Sequence, residues 1–524
     1  MPRRLASTLA SALALSLLAA WAPARAQLPE PVAAVLRSTT MPENALSVLV
    51  LRGDRTVLSH LADRPMQPAS TMKLVTTLIA LEKLGPVFRG RTELRTTGEL
   101  QGDTLKGDLY LRGGADMDLS TETLATMLRA LRNQGVRSID GRLVLDRELF
   151  NPARGDLGQP PFDEYPEAYY NVVPDALLVN KNMLQLDIRS TGADKRINVA
   201  MQPALEGVTV ATDMKLVDAD CARWEDGWKP PEALPQADGG IQVMLHGTFP
   251  KNCAASYAIN AIDRQEYLDR LLRLNWTQLG GKIAGATVAG TTPPEARLLA
   301  EHVSRPLPEL VRDTNKPSDN ALARTIFLSL GALEADPLLG SRPQAVSAAN
   351  TFSRADAAIR GWMREHGIDD TGLVLDNGSG LSRIERITPL QMAGVLQAGL
   401  RSNWSPEFQA SMPIVAVDGT MRRRLHDSPA AGRARMKTGT LNNVVALAGY
   451  VQDAHGQQCV LVAMINSNLA GNGRGRAVLD ALVDWVARLD GDMPAHAWAG
   501  RVDGKAAHPT QNPPGPPPAA PPAG

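Results

Sequence analysis

The alternation of hydrophobic and polar positions predicts strands and a helix near the start of the chain. Residues 46–52 and 56–60 alternate with the period of a strand on either side of the turn signal Gly53-Asp54, so they predict a β-hairpin. Leucines at intervals of three and four residues then predict a helix over residues 70–84, and Gly85-Pro86 supplies its end.

The middle of the chain has a different pattern, in which short alternating segments are separated by turns. From residue 90 to about residue 285 we predict one or two inserted, mostly-β domains. The segments with strand character are 107–112, 141–146, 184–189, 197–201 and 241–246.

Helical periodicity returns after about residue 290, and the pattern closes with a second hairpin and a helix. The hairpin is predicted by residues 445–451 and 459–466, and an amphipathic helix by residues 475–489. The helical segments that precede them are 308–312, 320–330 and 354–366.

Both ends of the sequence carry signals of their own. Arg3 and Arg4 precede an apolar run over residues 5–21, and Ala24-Arg25-Ala26 has the small-x-small pattern of a signal-peptidase site. Residues 1–26 are therefore predicted to be a secretory signal peptide, which implies a periplasmic location; a membrane anchor is the alternative. The Pro-rich residues 496–524 are predicted to form a disordered tail.

Composition limits the possible classes of function. A chain of 524 residues predicts two or more domains, and its 55 basic and 55 acidic residues argue against a general nucleic-acid binder. Cys221 and Cys253 lie in one loop-rich region, and we predict a disulfide between them; Cys459 lies in a buried-strand pattern. Because no His pair has ligand spacing, neither a metal site nor a cofactor is predicted. The sequence does not indicate an oligomeric state.

The first candidate motif is Ser70-Thr71-Met72-Lys73, at the start of the predicted helix 70–84. Residues three apart share a helix face, so the hydroxyl and the amine can touch. A serine becomes a nucleophile when a base takes its proton, and a lysine can be that base once burial lowers its pKa. Taken alone, the motif is more typical of a capping serine and a solvated lysine.

Two further motifs are weak singly and gain meaning from their order. Ser318-Asp319-Asn320 enters a predicted helix, where a hydroxyl can relay a proton and a carboxamide can bind a peptide backbone; an ordinary helix cap is the alternative. Lys437-Thr438-Gly439-Thr440 precedes an apolar strand, and an edge strand there would present a cation, two hydroxyls and a glycine that lets substrate approach closely.

The order Ser-x-x-Lys, Ser-Asp-Asn, Lys-Thr-Gly matches the motif set of active-serine penicilloyl enzymes. The chain resembles the low-molecular-mass class C penicillin-binding proteins, which are D-alanyl-D-alanine carboxypeptidases and endopeptidases. Two further segments resemble that subfamily, namely residues 376–383, with the sequence Asp-Asn-Gly-Ser-Gly-Leu-Ser-Arg and one Asn more than the usual signature, and Asp418-Gly419-Thr420-Met421 with Arg424. The resemblance covers most of residues 27–490.

The resemblance implies an α/β (α+β) fold with a serine β-lactamase/transpeptidase-like catalytic domain, in which helices flank an antiparallel sheet, and with inserted mostly-β domains. The expected division of the chain is a signal peptide at 1–26, catalytic segments at 27–89 and 286–495, the insertion at 90–285 and the tail at 496–524.

The resemblance also implies roles for the motif residues. Ser70 would attack a D-Ala-D-Ala peptide of peptidoglycan, and Lys73 would accept its proton. Ser318, beside Lys437, would pass a proton to the leaving amine. Asn320 would hold the amide on the acyl side of the substrate. The terminal carboxylate of the substrate would be bound by Lys437, Thr438 and Thr440. The partners are then muropeptide stem peptides, with β-lactam antibiotics as covalent inhibitors.

Two residues are expected to recognise the free end of a diaminopimelate side chain. Arg383 could pair with its carboxylate, since a guanidinium matches that geometry, and a structural ion pair is the alternative. Asp163, in the acidic segment 161–165, could pair with its ammonium group.

Three other classes of function were weighed. A class A β-lactamase shares Ser-Asp-Asn, and Glu167 precedes Asn171 with the spacing of its catalytic Glu, but this pair stands before Ser318 instead of after it. A penicillin sensor without turnover would keep the fold, although the catalytic positions here are all filled. An α/β-hydrolase would require a Gly-x-Ser-x-Gly elbow, which the sequence lacks.

Overall fold

A computed structural model describes the fold over residues 28–191, 196–345 and 347–490. The predicted signal peptide at residues 1–26 and the predicted tail at residues 496–524 lie outside the described residues.

Helices lie mainly in the first and last parts of the chain, and strands dominate the middle. The helices are α1 Glu30–Ser38, α2 Met72–Lys83, α3 Thr121–Asn133, α4 Arg264–Gln278, α5 Leu307–Asn315, α6 Asn320–Ala332, α7 Thr351–Glu365, α8 Pro389–Arg401, α9 Ser405–Ser411 and α10 Arg474–Ala487. The first strands are β1 Leu46–Arg52, β2 Arg55–His60, β3 Arg91–Thr96, β4 Glu99–Gln101, β5 Thr104–Lys106, β6 Leu109–Gly114, β7 Ser138–Ile139 and β8 Leu143–Asp146. They are followed by β9 Leu184–Ser190, β10 Ile197–Gln202, β11 Val208–Thr212, β12 Lys215–Val217, β13 Trp228–Pro235, β14 Ile241–Pro250, β15 Ala254–Ile259, β16 Lys282–Ile283, β17 Thr287–Ala289, β18 Arg297–Val303, β19 Leu333–Asp336, β20 Gly340–Pro343, β21 Arg435–Leu441, β22 Val444–Gln452 and β23 Gln458–Asn466.

The central sheet joins the two predicted hairpins and adds one edge strand. β1 pairs antiparallel with β2 and β23, and β22 pairs antiparallel with β23 and β21. The strand order is therefore β2-β1-β23-β22-β21. Both hairpin predictions are confirmed, and the Lys-Thr-Gly motif lies on the edge strand β21, as the sequence analysis expects.

Helices cover both faces of this sheet. α1 and α10 pack on one face, and α8 packs on the other against β1 and β23, with α2 behind it. Because β22 and β23 are buried on both sides, they are apolar along almost their whole length and do not alternate. The start of α2 and the edge of β21 thereby come to lie at the same end of the catalytic domain.

The strand-rich middle extends further along the chain than the pattern predicted. β18 pairs antiparallel with β3 at the edge of the sheet β17-β8-β6-β3-β18, so the chain leaves the insertion after Val303. We therefore propose a boundary near residue 303 in place of 285. The pattern missed β17 and β18 because both are partly exposed and lack a clean alternation.

The insertion also contains two helices that the sequence analysis did not predict. The signal for α3 is present, since Ser120 and Thr123 form a capping box and Leu124, Leu128 and Leu131 are buried at helical spacing. α4 begins at Arg264, directly after its N-cap Asp263, whose side chain accepts a hydrogen bond from the Gln265 backbone N–H. The insertion remains dominated by strands, with these helices packed against its sheets.

The cysteines are arranged as predicted. A disulfide joins Cys221 to Cys253, and Cys459 is a buried free thiol in β23. Among the described helices, none combines the length and the apolar character that a membrane crossing needs.

Protein recovered from an oxidising compartment is expected to react with an alkylating agent at Cys459 alone when it is unfolded without reductant, because the other two thiols are joined. Peptide mass analysis before and after reduction checks this. Alkylation of all three cysteines before reduction would contradict the disulfide.

Candidate active site

The three sequence motifs meet in one cluster of hydrogen bonds. Lys73 Nζ lies 3.0 Å from Ser70 Oγ and 2.6 Å from Asn320 Oδ1. Lys437 Nζ lies 2.8 Å from Ser318 Oγ. The start of α2, the α5–α6 loop and the edge of β21 therefore contribute to a single site, although 247 residues separate Lys73 from Asn320 in sequence.

The backbone around Ser70 is held in a conformation that ordinary turns avoid. Ser70 lies in a 3-10 turn over Ala69–Thr71, and Ala69 has a φ of +45°. A side chain on Gly380 would meet the Ala69 carbonyl oxygen at 1.9 Å, so the turn is pressed directly against the loop that contains Gly380. Such strain persists only where the surroundings enforce it, and it is frequent at active sites.

Gly439 packs closely against the turn that carries Ser70. A Cβ at Gly439 would lie 2.7 Å from the Pro68 carbonyl oxygen and 3.0 Å from the Ser70 nitrogen. The side of Gly439 on which a Cβ would lie is therefore filled by the protein's own backbone, and the close approach of substrate at this glycine stays a prediction. A glycine is needed here because β21 packs against the turn that carries Ser70.

Burial makes Lys73 suitable as a base. Its side chain is fully buried, and desolvation lowers its pKa from 10.5 to about 7. The negative charges of Asp319 and Glu385 act against this shift, and the positive charge of Arg324 acts with it. Desolvation is the largest effect, so a large share of the amine is neutral near pH 7.

The hydrogen bonds around Lys73 orient the neutral amine. Besides Ser70 and Asn320, the Ser379 carbonyl oxygen lies 2.5 Å from Nζ. Asn320 Oδ1 and this carbonyl can only accept, so the two N–H groups of a neutral amine are donated to them. The lone pair then points at Ser70 Oγ and can receive the hydroxyl proton.

The second lysine holds Ser318. Lys437 is fully buried, and desolvation together with the charge of Lys73 brings its pKa well below the usual value. It donates to Ser318 Oγ at 2.8 Å and to the Thr438 carbonyl oxygen at 2.8 Å. Ser318 has a φ of +69°, so a strained backbone aims its hydroxyl at this amine.

Asn320 is engaged inside the protein at both ends of its carboxamide. Oδ1 accepts from Lys73, and Nδ2 donates to the Tyr170 carbonyl oxygen at 2.9 Å. Tyr170 belongs to the inserted region, so Asn320 links that region to the base. The family resemblance implies that this carboxamide holds the acyl side of a substrate. That role remains a prediction, in addition to the observed hydrogen bond with Lys73.

The exposed side of the site carries hydroxyls. Thr440 is exposed and Thr438 partly so, and Thr438 Oγ1 lies 2.8 Å from Thr420 Oγ1. The turn Gly419–Met421 that carries Thr420 is fastened to the loop before Ser318, since the Thr420 backbone N–H donates to the Lys316 carbonyl oxygen at 3.2 Å. Arg424 lies apart from this cluster and forms an ion pair with Asp480 of α10 at 2.6 Å.

Arg383 and the segment containing Asp163 lie side by side. The Arg383 guanidinium lies 4.5 Å from the centre of the Phe162 ring, and its side chain is exposed. Asp163 accepts hydrogen bonds from Tyr170 Oη at 3.0 Å and Asn171 Nδ2 at 2.8 Å. The structure therefore places Arg383 against the residue that precedes Asp163, in the segment that leads to Tyr170.

Sequence reasoning missed the residues that act through backbone atoms. The Ser379 carbonyl and the Tyr170 carbonyl both accept hydrogen bonds from the site, yet a carbonyl leaves no mark on residue type. Arg324 lies one turn after Asn320 on α6, and only 7% of it is exposed. The sequence carries a signal for it, because a cation stands there among apolar positions of a helix.

The fold and the geometry define an active-serine acyltransferase site, in which a buried amine activates a serine and a second hydroxyl–lysine pair stands beside it. Among the described residues, no cluster of His, Cys, Asp or Glu has the composition of a metal site. The contact between Ser70 and the Lys73 amine suits the formation and breakdown of an ester on Ser70.

Comparisons with known proteins agree with this chemistry. The sequence profile of the D-Ala-D-Ala carboxypeptidase 3 (S13) family matches residues 29–489, and the chain belongs to this family. The D-alanyl-D-alanine carboxypeptidase DacB of Haemophilus influenzae is 27% identical over 441 residues, which cover 82% of this chain and 86% of the relative. The D-alanyl-D-alanine carboxypeptidase of Actinomadura sp. strain R39 is 27% identical over 489 residues, which cover 89% of this chain and 85% of the relative.

A solved structure confirms the fold class. Penicillin-binding protein 4 of Haemophilus influenzae superposes with a TM-score of 0.69 at 23% sequence identity, over 87% of this chain and 99% of that chain. The resemblance to the class C penicillin-binding proteins is thereby confirmed, and the chain is a hydrolase of the D-Ala-D-Ala carboxypeptidase type.

The rate at which benzylpenicillin acylates Ser70 is expected to rise about tenfold per pH unit below pH 7 and to level off above it. Lys73 accepts a proton only when neutral, and its pKa of about 7 means that each unit below this value removes most of the neutral form. Stopped-flow measurement of acylation between pH 5 and pH 9 checks this. An acylation rate that does not change between pH 5 and pH 7 would show that the neutral amine of Lys73 is not the base.

Proposed function

We propose that this chain hydrolyses D-Ala-D-Ala peptides of peptidoglycan through an acyl-enzyme on Ser70, as a carboxypeptidase, an endopeptidase or both. The observation that carries the proposal is the 3.0 Å contact between Ser70 Oγ and a fully buried Lys73 amine that is also bound to Asn320. Membership of the D-Ala-D-Ala carboxypeptidase 3 family supports the reaction class.

Acylation begins with Ser70. Lys73 takes the hydroxyl proton while Oγ attacks the carbonyl of the penultimate D-Ala, and the backbone N–H groups of Ser70 and Thr440 stabilise the oxyanion. The position of β21 against the Ser70 turn supports this pairing of donors, because a Cβ at Gly439 would lie only 3.0 Å from the Ser70 nitrogen.

Breakdown of the tetrahedral intermediate needs a proton on the leaving amine. Ser318 donates it and is reprotonated from Lys73 or Lys437, and the contact of 2.8 Å between Lys437 and Ser318 supports this relay. Water then attacks the ester on Ser70 and releases the trimmed peptide. A β-lactam forms the same ester, but its leaving group remains tethered and cannot diffuse away.

The C-terminal carboxylate of the substrate binds at the edge of β21. Thr438 and Thr440 present hydroxyls there, and the buried amine of Lys437 lies on the same strand, where a bound carboxylate would favour its charged form. A substrate in extended form could add to the edge strand by backbone pairing, which would place its terminal carboxylate near these groups.

The biological substrate is then the stem peptide of peptidoglycan, encountered in the periplasm after export directed by residues 1–26. The names of the relatives as D-alanyl-D-alanine carboxypeptidases support the substrate class. Arg383 and Asp163 would recognise the carboxylate and the ammonium of a diaminopimelate side chain, and the contact of Arg383 with Phe162, the residue before Asp163, supports a shared subsite.

A β-lactamase of class A is the second candidate, and one observation disfavours it. Glu167, which has the sequence spacing of the catalytic Glu in those enzymes, accepts a hydrogen bond from Trp228 Nε1 at 3.2 Å inside the insertion. A sensor without turnover is the third candidate. Rapid multiple turnovers of nitrocefin would favour the lactamase, and penicillin labelling without peptide hydrolysis would favour the sensor.

Ser70→Ala is expected to abolish covalent labelling by fluorescent penicillin and hydrolysis of a D-Ala-D-Ala peptide, because the Ser70 hydroxyl is the nucleophile that lies beside Lys73. Ser329→Ala is the control, since Ser329 is a buried serine of the catalytic domain whose hydroxyl donates to the Thr325 carbonyl oxygen of its own helix. Gel labelling and peptide mapping of the adduct check both variants. Labelling that survives in Ser70→Ala would refute the assignment.

Arg383→Gln is expected to lower kcat/KM about tenfold for a stem peptide with a free diaminopimelate end and to leave a peptide with a blocked side chain unchanged, because one charge-assisted hydrogen bond is lost. Arg386→Gln is the matched control, because Arg386 donates to backbone carbonyls of its own turn. Equal losses on both peptides would show that Arg383 is structural.

A further inference from the structure

Glu385 is a buried carboxyl group that the mechanism above does not use. Only 1% of the residue is exposed, and its side chain turns back into the loop that precedes it. Oε1 accepts backbone N–H groups from Gly378 at 2.9 Å, Asn377 at 3.1 Å and Asp376 at 3.3 Å. Oε2 has no hydrogen-bond partner among the described residues.

Successive backbone N–H groups that converge on one point form a concavity that binds anions. Here the loop over residues 376–378 forms that concavity, and the occupant is a carboxylate from the same chain. The Glu385 backbone N–H is itself held by Ser382 Oγ at 3.1 Å, so the side chain enters the loop from a fixed turn.

The same loop presents two carbonyl groups to α2. The Ser379 carbonyl oxygen lies 2.5 Å from Lys73 Nζ, and the Gly378 carbonyl oxygen accepts from Thr76 Oγ1 at 2.7 Å. Since Thr76 follows Lys73 by one helical turn, these contacts dock the loop along one side of α2. The shape of the loop therefore decides where the acceptor for the Lys73 amine lies.

We propose that Glu385 is a positioning residue for the proton transfer from Ser70 to Lys73, because its carboxylate shapes the loop 376–379 so that the Ser379 carbonyl orients the amine. If this acceptor moves, one N–H of the neutral amine loses its partner, the amine rotates, and its lone pair no longer faces Ser70 Oγ. The inference rests on the proposed function, in which Lys73 is the base.

The charged groups near Glu385 do not replace this role. Burial raises the pKa of Glu385, and the negative charge of Asp376 adds to this rise. Arg324 donates to the Val172 carbonyl oxygen at 2.7 Å and to the Asn171 carbonyl oxygen at 3.3 Å. Hydrogen bonding to the three N–H groups is thus the direct contact through which Glu385 acts on the loop.

The test measures acylation by benzylpenicillin in stopped flow, which separates the dissociation constant of the initial complex from the acylation rate constant. Glu385→Ala is expected to lower the acylation rate constant by about 100-fold, as a small misplacement of a catalytic group does, and to change the dissociation constant little. Glu385→Gln keeps an oxygen acceptor for the N–H groups and is expected to stay within about threefold of the parent protein.

Thr76→Val gives an independent variant. It keeps the size of the side chain and removes the hydrogen bond from Thr76 Oγ1 to the Gly378 carbonyl oxygen. It is expected to lower the acylation rate constant by about threefold to tenfold without weakening the initial complex. This variant decides the question if Glu385→Ala does not fold, which thermal unfolding would reveal.

Three outcomes would overturn the inference, namely an unchanged acylation rate in Glu385→Ala and Thr76→Val, a loss confined to the initial complex, or an equal loss in Glu385→Gln and Glu385→Ala. The last outcome would mean that charge, and not the acceptor oxygen, is what matters. Failure of the proposed function looks different, because the parent protein itself would then show no acylation of Ser70.

Discussion

The burial of two lysine amines is the constraint on which the rest of the site depends. Lys73 and Lys437 are both inaccessible to solvent, and the charge of Lys73 contributes to the lowered pKa of Lys437. Water favours the charged form of an amine, so the loss of water on burial is the largest cause of the lowered pKa of each lysine. An amine without partners would be costly in such a place, and both are surrounded by oxygen acceptors. The protein thereby obtains a base near neutral pH without a histidine.

This constraint explains why distant parts of the chain converge. The acceptors for Lys73 come from α6 and from the loop over residues 376–379, and neither is near α2 in sequence. Close backbone contacts at Gly380 and Gly439 exclude water from the same place, because there is no room for even a methyl group. The strained φ angles of Ala69 and Ser318 fit this view, since packing on all sides holds the two hydroxyl-bearing turns against their preference.

The sequence predicted the parts of the structure that depend on residue type and period. The two hairpins, the helix after Ser70 and the three motifs follow from alternation, leucine spacing and short signatures. The docking of backbone atoms could not be predicted, because a carbonyl such as that of Ser379 belongs to every residue. For the same reason the close packing of Gly439 against the Pro68 carbonyl oxygen could not be predicted from residue type. The helix α3 was missed despite its capping box, because the surrounding strands dominated the pattern.

The inserted region is also part of the electrostatic setting of the base. Asp319, whose charge raises the pKa of Lys73, forms an ion pair with Lys181 of the insertion. Arg324, whose charge lowers that pKa, is fixed by the carbonyl groups of Asn171 and Val172, which belong to the insertion as well. The insertion therefore holds in place two of the charges that act on the Lys73 amine.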